Sequence, residues 1–126
     1  MKYLLMIYSD EAGMTSATPA DREQMLAAYG AYSKAMLDAG IMLGGERLRP
    51  TSAATTVRLK NGKSEVLDGP YAETREQLGG YYMIDVADLD TALTWAARCP
   101  GAAHGTMEVR PIWPMEDYSP MSKGTA

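Results

Sequence analysis

The chain carries a single histidine, His104, and a single cysteine, Cys99, and these bound its reactive chemistry. Imidazole ordinarily changes charge near neutral pH, so His104 is the leading candidate for acid/base proton transfer. It follows Gly101-Ala102-Ala103 and precedes Gly105, a small-residue loop at the entrance to a strand. A lone histidine also serves as a structural hydrogen-bonder, which is the competing role. Downstream, Glu108 and Arg110 alternate with Met107 and Val109, so a strand here puts a carboxylate and a guanidinium on one face. On a half-solvated sheet this is ordinary alternation. In a covered cleft the same pair offers a carboxylate with a movable pKa and an arginine to hold an anionic group.

Asp68 opens the turn Asp68-Gly69-Pro70, where an aspartate ordinarily caps by bonding backbone amides. Its second possible role is to orient His104 or to act as another acid/base group. Glu73 and Glu76 follow in what reads as a solvated loop. Should Asp68, Glu73 and His104 converge above a sheet, they would suit proton transfer or a single divalent cation, and spacing leaves that open. The expected substrate-binding set is Arg110 with Glu108, Glu73 and Tyr71. Cys99 belongs at the C-terminal, negative end of a helix dipole, which disfavours the thiolate and points to packing. One cysteine and one histidine exclude a disulfide framework, a thiolate metal cluster and a multi-histidine metal site within one chain. The chain shows no phosphate loop, dinucleotide fingerprint or nucleophile elbow, so no metal or organic cofactor is expected.

These side chains need elements to position them. Lys2 to Tyr8 is strand-like and apolar on both alternations, with Tyr3, Leu5 and Ile7 on one face and Leu4, Met6 and Tyr8 on the other. Thr18 is an N-cap, Pro19 suits a first helical turn, and Asp21 and Glu23 complement the positive end of the dipole. Met25, Tyr29, Tyr32 and Met36 then recur at helical spacing, joined by Leu26 and Leu37 as one buried face, until Gly40 ends the helix. A second strand runs from Ile41 through Gly44-Gly45 toward Leu48. Asn61-Gly62 joins strands 54–59 and 64–67 as a hairpin whose turn type is open. Gly79-Gly80 leads into a strand from Tyr81 to Val86, and Asp88 caps a helix that turns Leu89, Leu93 and Ala96 inward. Cys99-Pro100 closes that helix, Thr106 to Ile112 is the last strand, and residues 114–126 read as a poorly ordered tail after one domain of residues 1–113.

The stretch Asp68-Gly-Pro-Tyr-Ala-Glu-Thr-Arg-Glu-Gln-Leu-Gly-Gly-Tyr-Tyr-Met-Ile-Asp85 resembles the signature of the DGPF, or YCII-related, family of small bacterial α/β proteins. Tyr71 stands where the family's name has Phe, which keeps the ring and adds a hydroxyl. The resemblance runs from Lys2 to about Trp113, with further motifs in Trp95 to Pro100 and His104 to Ile112. It implies a dimeric α/β barrel with a ligand-sized cleft. It also implies an acid/base pair of an aspartate and a helical histidine in the wider group. Asp38 matches that aspartate, but Tyr29 stands at the histidine's place, so this chain lacks the pair. Relatives of this kind can be associated with alternative sigma factors.

Without the hairpin, the order β-α-β, β-α-β is the split arrangement of a ferredoxin-like α+β fold, with two helices on one sheet face. Leu4 and Met6 then demand a cover on the other face, because burying each is worth about 1.5 to 3 kcal/mol. A second subunit supplies it, and a homodimer is expected. A net charge of -4 without a basic cluster argues against nucleic acid. The first apolar run is too short for a signal peptide, so a cytoplasmic protein without membrane contact is expected. Ten methionines and no phenylalanine leave Met and Tyr to fill much of the core. The functional expectation is a cofactor-independent enzyme that moves protons, as an isomerase or lyase, on a small polar or anionic molecule. The alternative is a ligand-binding or regulatory partner.

Overall fold

The computed structural model describes residues 1–118 of the chain. Its elements in order are β1 (Lys2–Ser9), α1 (Glu11–Thr15), α2 (Pro19–Asp38), β2 (Met42–Arg47), β3 (Thr55–Lys60), β4 (Lys63–Asp68), β5 (Gln77–Asp85), α3 (Leu89–Arg98), α4 (Gly101–His104) and β6 (Thr106–Pro111). Short 3-10 turns occupy Thr51–Ala53 and Met115–Tyr118, so the expected tail begins with a turn of its own, and its remainder lies outside the described residues.

The main sheet has four strands in the order β2-β5-β1-β6, every neighbouring pair antiparallel. With the β3-β4 hairpin set aside, this is the strand order of a ferredoxin-like α+β fold. β1 sits inside because it is apolar on both alternations, and its two neighbours satisfy both of its backbone edges. Tyr3, Leu5 and Ile7 are buried with Ile84, Val86, Tyr32, Met36, Ala92, Ala96 and Cys99. Tyr32 closes the helix layer by donating its hydroxyl to the Trp95 carbonyl at 2.7 Å and setting its ring edge-on to Tyr82 at 5.4 Å. Among the described residues, no helix is long and apolar enough to cross a membrane.

The helix ends follow their capping chemistry. Thr18 accepts from the Asp21 amide while Asp21 accepts from the Thr18 amide, with Pro19 in the first turn. Gly40 takes a φ of 72° beyond the last turn. Asp88 accepts from the Thr91 amide and caps α3.

The helix faces are rotated from expectation. Leu26 and Leu37 are exposed, since each lies one residue, about 100° of turn, away from the Met25-Tyr29-Tyr32-Met36 stripe. In α3 the inward residues are Ala92 and Ala96, and Leu89 and Leu93 are exposed. The short alanines let the helix lie close to the sheet, so the larger leucines ride on its flank. Gly79-Gly80 is part of β5 rather than its entrance, with Gly80 opposite both Ile7 and Arg47. α1 and the α4 turn are additions to the expected order. α4 converts the expected loop before β6 into one helical turn that ends at His104.

The hairpin forms a separate sheet of two strands. Asn61 and Gly62 both take positive φ, 53° and 77°, the left-handed pair that a two-residue type I′ turn requires.

Candidate functional site

The register of β1 assigns the face opposite the helices. Leu4 pairs with Met83 and Arg110, and Met6 with Tyr81 and Glu108. Residues paired across strands share a face, so Leu4, Met6, Tyr81 and Met83 form a half-buried apolar floor. Tyr8 opposes Thr106 at one end of that floor.

On this floor Arg110 donates from Nη2 to Glu108 Oε2 at 2.6 Å. Two residues apart on one strand, their side chains rise from the same face, and the strand period brings carboxylate and guanidinium together. The arginine hydrogen bond is the main cause that holds the Glu108 carboxyl below its ordinary value, and the Tyr8 hydroxyl adds to it. Tyr8 responds in the opposite sense. Burial first, and then the negative charge of Glu108, push its phenol upward. Its hydroxyl also points to Met6 Sδ at 3.9 Å. A carboxylate, a guanidinium and a phenol therefore share the edge of an apolar surface, where they can take a small molecule with a ring or alkyl body and an anionic or hydroxyl head.

His104 is exposed at the end of α4, on the approach to β6. Gly105, its successor, comes so close to β1 that a Cβ there would stand 2.0 Å from the Tyr8 carbonyl oxygen. This fixes the start of β6 against the β1 backbone, while α4 itself packs on the helix side of the sheet, where a Cβ at Gly101 would meet Ile7 and the Tyr29 hydroxyl. His104 makes no hydrogen bond or ion pair to a carboxylate among the described residues. Asp68 ends β4 in the other sheet, and its side chain likewise has no partner there. The turn it opens is closed by backbone, with Gly69 N donating to the Ala54 carbonyl at 2.8 Å and Thr56 Oγ1 donating to the Gly69 carbonyl at 2.7 Å. Asp68 thus does not cap the turn as its sequence suggested, because the hairpin's own strands supply the bonds.

Asp68, Glu73 and His104 form no cluster able to hold a metal ion among the described residues. Glu73 is exposed, and Tyr71 lies 79% exposed with the Arg58 guanidinium over its ring at 5.7 Å. Of the expected site residues the structure brings Glu108 and Arg110 together and leaves Asp68, Glu73 and Tyr71 on the hairpin and its following loop. Tyr8 was not singled out from sequence, although its place on the second alternation of β1 was the available signal. Glu76, read as solvated, accepts a hydrogen bond from Thr106 Oγ1 at 2.6 Å.

Asp38 pairs with Lys34 at 2.8 Å along the helix surface, while Tyr29 packs against the buried core. Burial is the main cause that pushes the Cys99 thiol upward, in keeping with a packing residue.

The YCII-related domain matches residues 1–116. An uncharacterized protein of Rhizobium meliloti (strain 1021) is 39% identical over 114 residues, covering 89% of this chain and 92% of that protein. Among solved structures, 5-chloro-2-hydroxyhydroquinone dehydrochlorinase from Burkholderia phenoliruptrix AC1100, in complex with 2,5-dihydroxybenzoquinone, superposes with a TM-score of 0.54. At 12% identity, over 93% of this chain and 98% of that one, the likeness is one of fold. A domain match along nearly the whole described chain, joined by a relative of that identity, makes this protein a member of the YCII-related family.

Proposed function

We propose that the chain is an enzyme that moves protons on a small polar or anionic substrate, without an organic cofactor, on the open face of the main sheet. The Glu108–Arg110 pair, set beside Tyr8 on an apolar floor, carries this reading. An incoming substrate oxyanion competes for the guanidinium. Glu108 then loses the bond that depresses its pKa and becomes a stronger base at the moment the substrate is seated. The broken C–H bond sends its proton to Glu108 and leaves negative charge on the substrate oxygen held by Arg110. Return of a proton elsewhere on the molecule, the role proposed for His104, completes an isomerisation. Loss of a leaving group with its electron pair would instead make an elimination.

The fold neighbour is named as a dehydrochlorinase of a hydroxylated ring, an elimination of the same general kind. We further propose that a second copy covers the floor, with a homodimer as the working form.

The test is proton exchange. In deuterated buffer, enolisable hydroxyquinones and hydroxy acids are followed by NMR, with 2,5-dihydroxybenzoquinone as the first probe. Glu108→Gln should abolish exchange, Arg110→Gln should weaken binding, and His104→Gln should lower turnover by about 100-fold. Failure of every probe to shift the signals of Tyr8, Glu108 or Arg110 would sink the proposal. Binding without exchange would favour the second reading, a ligand-binding or regulatory partner such as one associated with an alternative sigma factor. The hairpin's exposed apolar face is the feature that speaks for that reading.

A further inference from the structure

Two hydrogen-bond donors close on one carboxylate from opposite sides of the open sheet face. Met6 stands across from Glu108, Tyr8 across from Thr106 and Leu4 across from Arg110, so Tyr8 and Arg110 lie on either side of the Glu108 level. Each step of two residues is about 7 Å along a strand. Both side chains lean inward across that distance. Arg110 Nη2 reaches Glu108 Oε2 at 2.6 Å, and the Tyr8 hydroxyl turns back along β1 to within 3.9 Å of Met6 Sδ, at the Glu108 level. From there the phenol also approaches the Glu108 carboxylate.

Among the described residues, neither donor has another charged partner. A thioether is a weak acceptor, so Met6 holds the phenolic proton loosely. Burial and the charge of Glu108 keep that proton on the phenol at neutral pH, and a guanidinium has donors alone. Thr106, opposite Tyr8, gives its own hydroxyl proton to Glu76 at 2.6 Å, which leaves the phenol to serve that end of the floor. Glu108 thus fills, in the free protein, a seat shaped for a planar head with two adjacent oxygens, one on the guanidinium and one on the phenol.

We propose that Tyr8 is the specificity-determining residue of the sheet-face site: with Arg110 it binds the two oxygens of an α-hydroxycarbonyl substrate, whose carbonyl and hydroxyl stand on neighbouring carbons. This rests on the sheet face being the site of proton transfer. When the substrate head takes the seat between the donors, Glu108 loses both bonds that depress its pKa and faces the C–H bond of the hydroxyl-bearing carbon. Cleaving that bond sends the proton to Glu108. Its electron pair forms the C=C bond, and the carbonyl π pair moves onto oxygen. The enediolate that results carries its new charge between guanidinium and phenol, so the two donors hold the transition state more tightly than the ground state. An isomer with its oxygens set further apart leaves one donor unpaired and is rejected.

The experiment uses the full chain and two isomeric ring anions, tropolone, whose oxygens are adjacent, and 4-hydroxytropone, whose oxygens are apart, at a pH where both are ionised. Binding is followed by NMR through the Met6 methyl and the Arg110 side chain, with a chelator present to remove trace metal. Tropolone should bind at least about tenfold more tightly than its isomer. Tyr8→Phe keeps the ring and removes the donor, so it should erase that preference by weakening tropolone alone, whereas Arg110→Gln should weaken both. The buried Leu5 and Ile84 methyl signals show whether each variant keeps its fold. Isomers that bind the parent equally, or a preference that survives in Tyr8→Phe, overturn the role of Tyr8 and leave the sheet-face site standing. Probes that shift neither Met6 nor Arg110 remove the site and the role of Tyr8 together.

Discussion

The hydroxyl of Thr106 donates to the Glu76 carboxylate at 2.6 Å, which fastens the end of the loop after the hairpin to the first residue of β6. That loop is otherwise held by local bonds, Gln77 Nε2 to the Thr74 carbonyl and Thr74 Oγ1 to the Glu76 carbonyl. Thr106→Val removes the donor at nearly constant volume. Amide hydrogen exchange in residues 69–76 should accelerate while the β1-β5 ladder keeps its protection, at a stability cost of about 0.5 to 1.5 kcal/mol. Unchanged exchange would mean that the local bonds alone order the loop.

Arg110→Gln tests the electrostatics of the floor. The depressed Glu108 pKa means that the pair's stabilisation is present above the ordinary carboxylate range and lost as pH falls through the folded-state value. Without the arginine, the Glu108 carboxyl should titrate closer to its ordinary value of 4.5 by NMR, and the variant should lose less stability on acidification than the parent does. The Tyr8 phenol, pushed up by burial and by Glu108, should remain protonated to higher pH than an exposed tyrosine.

The alkaline limb has a different origin. Burial raises Cys99 above 9.0 and raises Tyr29, Tyr32 and Tyr82 above 10.0. Groups with raised folded-state values stabilise fully below their unfolded values, and that contribution declines as pH rises past them. Thermal melts should therefore show stability falling from about pH 9 upward, with the first part of the fall missing in Cys99→Ala. A thiol reagent should reach Cys99 only when the protein unfolds. Rapid labelling of the native chain would contradict its buried position.

Leu5 has no exposure at the centre of β1, so Leu5→Ala should destabilise by about 2 to 5 kcal/mol in urea with an unchanged m-value. Leu26→Ala, on the exposed flank of α2, should change stability by less than about 0.5 kcal/mol. Equal effects at the two positions would contradict the assigned helix face.

Gly105→Ala puts a methyl group into the Tyr8 carbonyl, so β6 must shift away from β1. Backbone amide shifts should move from Tyr8 to Met107, and the spacing between His104 and the Glu108–Arg110 pair should change with them. Probe binding should weaken in this variant even though no ligand-facing side chain has been altered.

Strands and caps were legible because each rests on local chemistry: two-sided apolarity in β1, the Thr18-Pro19-Asp21 cap, and Asn61-Gly62 in the hairpin. The helix faces were read less well. Leu89 and Leu93 are larger than Ala92 and Ala96, yet the separation between α3 and the sheet favours the small residues inside, and tertiary packing sets that separation. The Glu108–Arg110 pair followed from strand alternation alone. The positions of Asp68 and Tyr71 depend on where a hairpin sits relative to a different sheet, which spacing along the chain does not encode. Tyr8 was passed over because a tyrosine in an apolar strand looks like filler until the register sets it opposite Thr106, beside Glu108.

The strand order has a consequence for how the chain reaches this state. β1, first in sequence, pairs with β5 and with β6, the last strand of all. No hairpin with a sequence neighbour is available to it, so its partners arrive only after the greater part of the chain has been made. The loop that joins β1 to β6 is among the costliest closures in the fold, and such distant pairing makes for slow assembly. Until β6 arrives, an apolar ribbon with an unpaired edge waits in the nascent protein. Folding speed and the hazard of clumping during synthesis should therefore respond to changes in Thr106–Pro111 more than to changes in the early-formed α2.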